Sequence, residues 1–167
     1  MKIKKNLKEI LITAVMAFVL LNVISYFKKP NLSFDTFPPL NATLIDESKF
    51  SHKDFKDKPF IVHFWATWCP TCKVEISNFD DLAKDYNVIT IAVESGSDNE
   101  IKKFLADKDI SIPTINDKSG KLASVFNISG YPTTFVFDKD GKLFFSDVGY
   151  TSGWSLKLKI WLSALNN

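Results

Sequence analysis

The 167-residue sequence predicts an α/β domain, a central mixed β-sheet flanked by helices, carried behind an N-terminal transmembrane helix. Three observations predict it. Two continuous apolar runs of strand length, Pro59–Trp65 and Val88–Val93, are each followed by a segment with helical character, the alternation that builds parallel sheets. Two later runs, Thr133–Phe137 and Lys142–Val148, flank Asp138-Lys139-Asp140-Gly141, a hairpin signal that adds antiparallel strands. Ile10–Phe27, finally, is 18 residues without a charge, about 27 Å long as a helix and close to the thickness of a bilayer core.

Four lysines precede that apolar run and two follow it. The positive-inside bias then keeps residues 1–9 as a basic cytoplasmic tail and carries the rest of the chain across the membrane. No Ala-X-Ala site follows the run, so residues 10–27 read as an uncleaved signal anchor rather than a removed leader. Residues 28–42 read as a linker stiffened by Pro30, Pro38 and Pro39, with Phe34 and Phe37 able to pin it to the domain that follows over 43–167. Leu44-Ile45 suggests a short strand, and Phe50–Lys58 a polar, loosely helical approach.

The first buried strand ends at Trp65. A helix opens at Cys69 and runs to about Tyr86, with Val74, Ile76, Phe79, Leu82 and Ala83 at roughly helical spacing. After the strand at Val88–Val93, Ser97-Asp98-Asn99-Glu100 has capping-box spacing and starts a helix reaching about Asp107. Ile112–Ile115 is a short extended piece, and Lys121–Phe126 a short helix. The hairpin follows, and then a last helix over Trp154–Leu165.

The only two cysteines stand in Trp68-Cys69-Pro70-Thr71-Cys72, between an apolar strand and a helix. A Cys-X-X-Cys at such a junction is a redox motif with a mechanism behind it. Cys69 falls at the helix N-terminus, where unpaired N–H groups and the helix dipole favour a thiolate. Pro70 suits the first helical position, where its missing N–H costs nothing. Cys72 follows one turn on, close enough to close a short disulfide.

This motif, with Gly130-Tyr131-Pro132-Thr133-Thr134 ahead of the hairpin, resembles a thioredoxin-like fold over roughly residues 40–165. The long path between the cysteines and Pro132 is similar to that of the extracytoplasmic TlpA/ResA/DsbE group, and within it to the membrane-tethered suppressor-of-copper-sensitivity type. The resemblance implies a protein-disulfide oxidoreductase needing no cofactor beyond its Cys69–Cys72 pair. It makes Cys69 the nucleophile and Cys72 the resolving thiol, and it makes Pro132 cis, beside the cysteines, with Tyr131 offering its backbone to a substrate strand. Trp68, Pro70 and Thr71 would complete the docking surface. Glu75 shares a helix face with Cys72. Drawn into the apolar interior it would have a raised pKa suited to proton transfer, as in ResA-type proteins. His63 stands six residues before Cys69, where thioredoxins carry a buried aspartate, and reads either as a proton shuttle or as a hydrogen-bonded core residue.

The implied partners are protein thiols and disulfides, a membrane or periplasmic redox partner, and the inner membrane through residues 10–27. The basic excess does not argue for nucleic acid. Six of 21 lysines precede residue 30, leaving 15 Lys against 18 acidic residues from Asn31 onward, and arginine is absent. Two thiolates cannot complete a tetrahedral zinc site, and neither a His-X₃-His nor a further cysteine is present. A peroxiredoxin would need Pro and Thr where Val62 and Ala66 stand. Two alternatives stay open. One is a DsbE-type reductant of apocytochromes, whose cis-proline loop differs from the Asn127–Thr133 stretch found here. The other is a non-catalytic module holding copper(I) between its thiolates.

Overall fold

The computed structural model describes residues 34–165, with Glu9, Ile12, Thr13, Met16 and Leu32. The expected basic tail over 1–9 and membrane-spanning segment over 10–27 lie outside the described residues, save for those isolated positions. Among the described residues, no helix is long and apolar enough to cross a membrane.

The segment expected to be a linker packs against the domain through Leu32 and again from Phe34 on. Thr36 bridges Lys142, and the Phe37 N–H donates to the Gly141 carbonyl at 2.8 Å. The Phe37 ring is buried against those of Phe60, Phe126 and Phe137. Strands β1 (Asn41–Thr43) and β2 (Lys49–Ser51) then form a small antiparallel hairpin. The strand expected at Leu44-Ile45 is absent because the chain turns there. Leu44 keeps a single bridge to Ile115, the Asp46 carboxylate accepts the Ser48 N–H, and Glu47 takes a left-handed φ of 76°. Of the expected helical approach, one 3-10 turn forms, His52–Phe55, with Ser51 and Asp54 in a capping box.

The main sheet holds five strands in the order β5-β4-β3-β6-β7. Strand β3 (Phe60–Trp65), helix α1 (Pro70–Ala83), strand β4 (Asn87–Val93), helix α2 (Asp98–Ala106) and strand β5 (Thr114–Asp117) form the parallel half. Helix α3 (Lys121–Val125) leads to the antiparallel strands β6 (Thr133–Phe137) and β7 (Leu143–Val148), and helix α4 (Gly153–Leu165) closes the chain. Helix α1 stops three residues before the expected Tyr86. The Asp85 and Tyr86 N–H groups both fold back to the Leu82 carbonyl, which releases Asn87 into β4.

All six residues of β3 are buried, as its uninterrupted apolar run requires of a central strand. Alternate side chains enter opposite layers. Phe60, Val62 and Phe64 join Phe37, Phe126, Phe135 and Phe137 on the α3 side. Ile61 joins Phe79, Leu82, Leu156 and Ile160 beneath α1 and α4. Trp65 joins Cys72, Ile76 and Ile101 beneath α1 and α2. The cysteines therefore leave the C-terminal end of the central strand on a base packed from both sides, the usual site position in an open α/β sheet.

Candidate active site

Helix α1 begins at the motif because its N-cap is a cysteine. Cys69 is extended (φ −82°, ψ 117°), its sulfur accepts the Cys72 N–H at 3.2 Å, and Pro70 occupies the first turn. That N–H is one of the donors a helix start leaves unpaired, so the Cys69 sulfur sits where partial positive charge collects. Cys69 and Cys72 are joined as a disulfide, their Cα atoms 5.3 Å apart. Both residues are buried, Cys72 completely, while Pro70 and Thr71 between them are exposed.

Two aromatic residues border the pair. Trp68 is exposed, and its indole N–H donates to the Glu94 carbonyl at 3.2 Å. Its ring meets Tyr131 edge-on, with centroids 5.5 Å apart. Tyr131 precedes Pro132 through a cis peptide bond, and Pro132 itself is buried. Trp68 and Tyr131 thus meet beside the cysteines, and Tyr131 packs against the buried cluster that holds both of them. Burial, then the charges of Glu94 and Asp117, raise the Tyr131 phenol above its ordinary value. Trp65, by contrast, is fully buried against Phe104.

One helical turn beyond Cys72, Glu75 has no exposed surface at all. The Thr151 N–H donates to its Oε1 at 2.6 Å, whereas Oε2 has no hydrogen-bond partner among the described residues. Burial pushes its carboxyl up to about 7; the Thr151 hydrogen bond works against that rise and the nearby charge of Asp147 adds to it. A carboxyl so placed can exchange a proton near neutral pH.

His63 is equally buried but differently held. Its Nδ1 shares a 3.0 Å hydrogen bond with Thr134 Oγ1, and its ring stacks on Phe79 with centroids 3.6 Å apart. Burial drives its pKa down to about 3, so the imidazole is neutral at physiological pH. Strand register continues the polar line in both directions. Thr114, Thr90, His63, Thr134 and Asp147 occupy successive paired positions on β5, β4, β3, β6 and β7. The Thr90 and Thr114 hydroxyls are 2.8 Å apart. His63 is thus a hydrogen-bonded member of this row.

The sequence reading did not single out Thr151, Asp147 or Glu94, and it took Thr134 only as part of the stretch ahead of the hairpin. Each reaches the site from a strand or loop distant in the chain, and only tertiary packing brings them in. Glu94 carries one local signal, since it follows the apolar run of β4 and stands two residues before Gly96. Among the described residues, no group of three or more His, Cys, Asp or Glu is placed to hold a metal ion.

The chain is 28% identical to a thioredoxin-like protein of Haemophilus influenzae over 165 residues, 98% of each chain. It is 33% identical over 110 residues to the thiol-disulfide oxidoreductase ResA of Bacillus thuringiensis subsp. konkukian, an alignment that spans 64% of each chain. The exposed lipoprotein thioredoxin of Streptococcus pneumoniae superposes with a TM-score of 0.68 at 25% identity, covering 75% of this chain and 99% of that one. Residues 34–146, which contain both cysteines and the cis-proline, match the AhpC/TSA family model. The chain therefore belongs to the AhpC/TSA family, and it is a thioredoxin-like thiol-disulfide oxidoreductase.

Proposed function

We propose that this oxidoreductase works outside the cytoplasm on protein substrates, tethered through residues 10–27, with Cys69, Cys72 and Glu75 as its catalytic residues. The observation that carries the assignment is the buried Glu75 carboxyl, one helical turn beyond Cys72 and titrating near 7. In the reducing direction, the Cys69 thiolate attacks a substrate disulfide. One substrate sulfur leaves with its electron pair as a thiolate and takes a proton from water, and the other stays bonded to Cys69. Cys72 then passes its proton to Glu75 and attacks the Cys69 sulfur. The mixed disulfide breaks, the Cys69–Cys72 bond closes, and the substrate departs as a dithiol. Two electrons have moved from the cysteine pair to the substrate, and the oxidising direction is the same sequence reversed. Trp68, Pro70, Thr71, Tyr131 and Pro132 form the surface on which the substrate strand docks, with the Tyr131 backbone pairing to it. A separate membrane or periplasmic redox partner resets the cysteine pair.

The extracytoplasmic location draws support from the exposed lipoprotein among the similar structures and from the charge pattern around residues 10–27. Replacing Cys72 with Ala in the full chain tests the exchange mechanism. Cys69 then accumulates mixed disulfides with its physiological partners, which can be isolated and identified. If no adduct forms while Cys69 stays intact and reactive, the assigned mechanism is wrong.

A further inference from the structure

The Glu75 carboxyl is held at one oxygen only. The Thr151 N–H donates to Oε1 at 2.6 Å, and Oε2 has no hydrogen-bond partner among the described residues. The Thr151 hydroxyl has none among them either, although Thr151 is only 4% exposed. Buried polar atoms are almost always paired, so two unpaired oxygens on the two residues of one hydrogen bond call for a shared explanation. The start of α4 does not use this hydroxyl. There the neighbouring Ser152 serves, its own hydroxyl accepting the Ser155 N–H at 3.4 Å. The segment around Thr151 is placed from both ends. The Gly149 N–H donates to the Pro132 carbonyl at 2.8 Å, and Gly153 lies against Asn78 of α1. Thr151 is therefore held between the cis-proline loop and the helix that carries Cys72 and Glu75.

We infer that Thr151 is a positioning residue for Glu75, its hydroxyl closing onto Oε2 of the ionised carboxyl to complete a fork begun by its N–H. The inference rests on the reading of Glu75 as the group that takes the Cys72 proton. The same fork occurs twice elsewhere in this chain. Ser48 gives its N–H and hydroxyl to the Asp46 carboxylate at 3.0 and 2.6 Å, and Ser97 gives both to Glu100 at 2.7 Å each. In Thr151 the N–H bond is already made, and a turn about χ1 brings the hydroxyl to the second oxygen. The fork also assigns the proton. Oε1 stays engaged with the backbone, so the proton leaving the Cys72 sulfur forms its new bond at Oε2. The hydroxyl then stops donating and accepts from the new O–H, since a threonine oxygen can do either. Donation to the charged form favours that form, so the hydroxyl offsets part of the cost of burying the carboxylate.

The other charges around this carboxyl are accounted for. Of the elements packed against α1, β4 and β6 carry no titratable side chain, and α2 meets it through Ile101 and Leu105. Asp147 of β7 contributes a nearby negative charge, and His63 of β3 is neutral at physiological pH. Lys157 and Lys159 of α4 are engaged with Asp85 and with the Phe145 ring, and Tyr150 is exposed. On α1 itself the cysteines are joined, Lys73 and Asp81 are exposed, and Asp80 accepts the Ser111 N–H.

Carboxyl titration and exchange kinetics test the fork together, on the full chain in detergent micelles. In oxidised protein labelled with ¹³C at the glutamate carboxyls, the resonance missing from E75Q belongs to Glu75 and follows its titration directly. T151V removes the hydroxyl but keeps the N–H and the shape of the side chain. Its Glu75 midpoint should rise by about one pH unit, the weight of one hydrogen bond to a charged group. T151A should show the same rise, and T151S should keep the wild-type midpoint. In stopped-flow reduction of a peptide disulfide, resolution by Cys72 in T151V should be about tenfold slower at pH 6 and unchanged well above the inflection. An unmoved midpoint in T151V and T151A overturns the fork. An equal rise in T151S overturns it too, because the hydroxyl is then not the cause. So does a T151V rate loss that persists in the E75Q background, which would place the hydroxyl on another group. A midpoint that moves in T151V while E75Q keeps the wild-type rate and inflection leaves the fork standing and removes Glu75 as the proton acceptor.

Discussion

Two buried titratable side chains sit in one layer of this protein, and their environments move them in opposite directions. Glu75 is raised from 4.5 to about 7 by burial, and His63 is lowered from 6.5 to about 3 by the same cause, because each loses its charged form on leaving water. Only Glu75 therefore changes charge near neutral pH. The rate of Cys72-dependent resolution should rise with pH through about 7 and lose that inflection in Glu75→Gln. The variant should be slower by about a hundredfold at the plateau, a common contribution of a positioned base. Stopped-flow exchange on both variants checks this, and a larger loss in His63→Leu than in Glu75→Gln would move the proton route to the histidine. Stability carries the same signature. A raised carboxyl pKa gives a contribution that is complete below 4.5 and lost as pH climbs through about 7, a loss of about 3 kcal/mol. Glu75→Gln can keep the Thr151 hydrogen bond and should flatten that part of the urea stability profile. His63 works the other way, since its contribution is present above 6.5 and is lost as pH falls towards 3.

At the scale of elements, helix starts organise the site. Helix α1 begins on a cysteine sulfur, so the cap and the proposed nucleophile are one atom. Helix α2 begins on a reciprocal capping box. The Ser97 hydroxyl accepts the Glu100 N–H at 3.3 Å, and the Glu100 carboxylate accepts the Ser97 N–H at 2.7 Å. This box secures the loop that carries Glu94, the partner of Trp68. Ser97→Ala should cost about 1 kcal/mol, read as a lower urea midpoint at unchanged slope. Gly96, just before it, has a φ of 94° and would place a Cβ 2.7 Å from the Glu100 carboxylate. Gly96→Ala should therefore be at least as damaging as loss of the serine cap.

For the molecule as a whole, the domain begins earlier than its first strand. Phe37 packs edge-on against Phe60 and Phe137 in the layer beneath α3, so the proline-rich segment is part of the core it leads into. Phe37→Ala should cost about 3 kcal/mol, in the range for truncating a buried aromatic. Removing residues 1–31 should leave the urea midpoint of the domain nearly unchanged, whereas removal through Leu40 should lower it sharply. Equal midpoints for the two truncations would show that the segment contributes nothing to folding.

What was legible in the sequence was local. Continuous apolar runs marked β3 and β4 because strands buried on both faces tolerate no polar alternation. The Ser97–Glu100 spacing marked the start of α2, and the Cys-X-X-Cys at a strand-to-helix junction marked the site. The hairpin β1–β2 was missed because three-residue strands carry too little pattern, and the expected strand at Leu44-Ile45 fell on a turn closed by Asp46 and Ser48. The proton chemistry was only half legible. Helical periodicity put Glu75 beside Cys72. Its burial under Thr151, the nearby charge of Asp147 and the bond from His63 to Thr134 depend on segments 70 or more residues downstream, and only tertiary packing brings these groups together. Local spacing by itself determined which residues could react. Long-range packing decided which of them would lose water, and with it which would hold a proton at neutral pH.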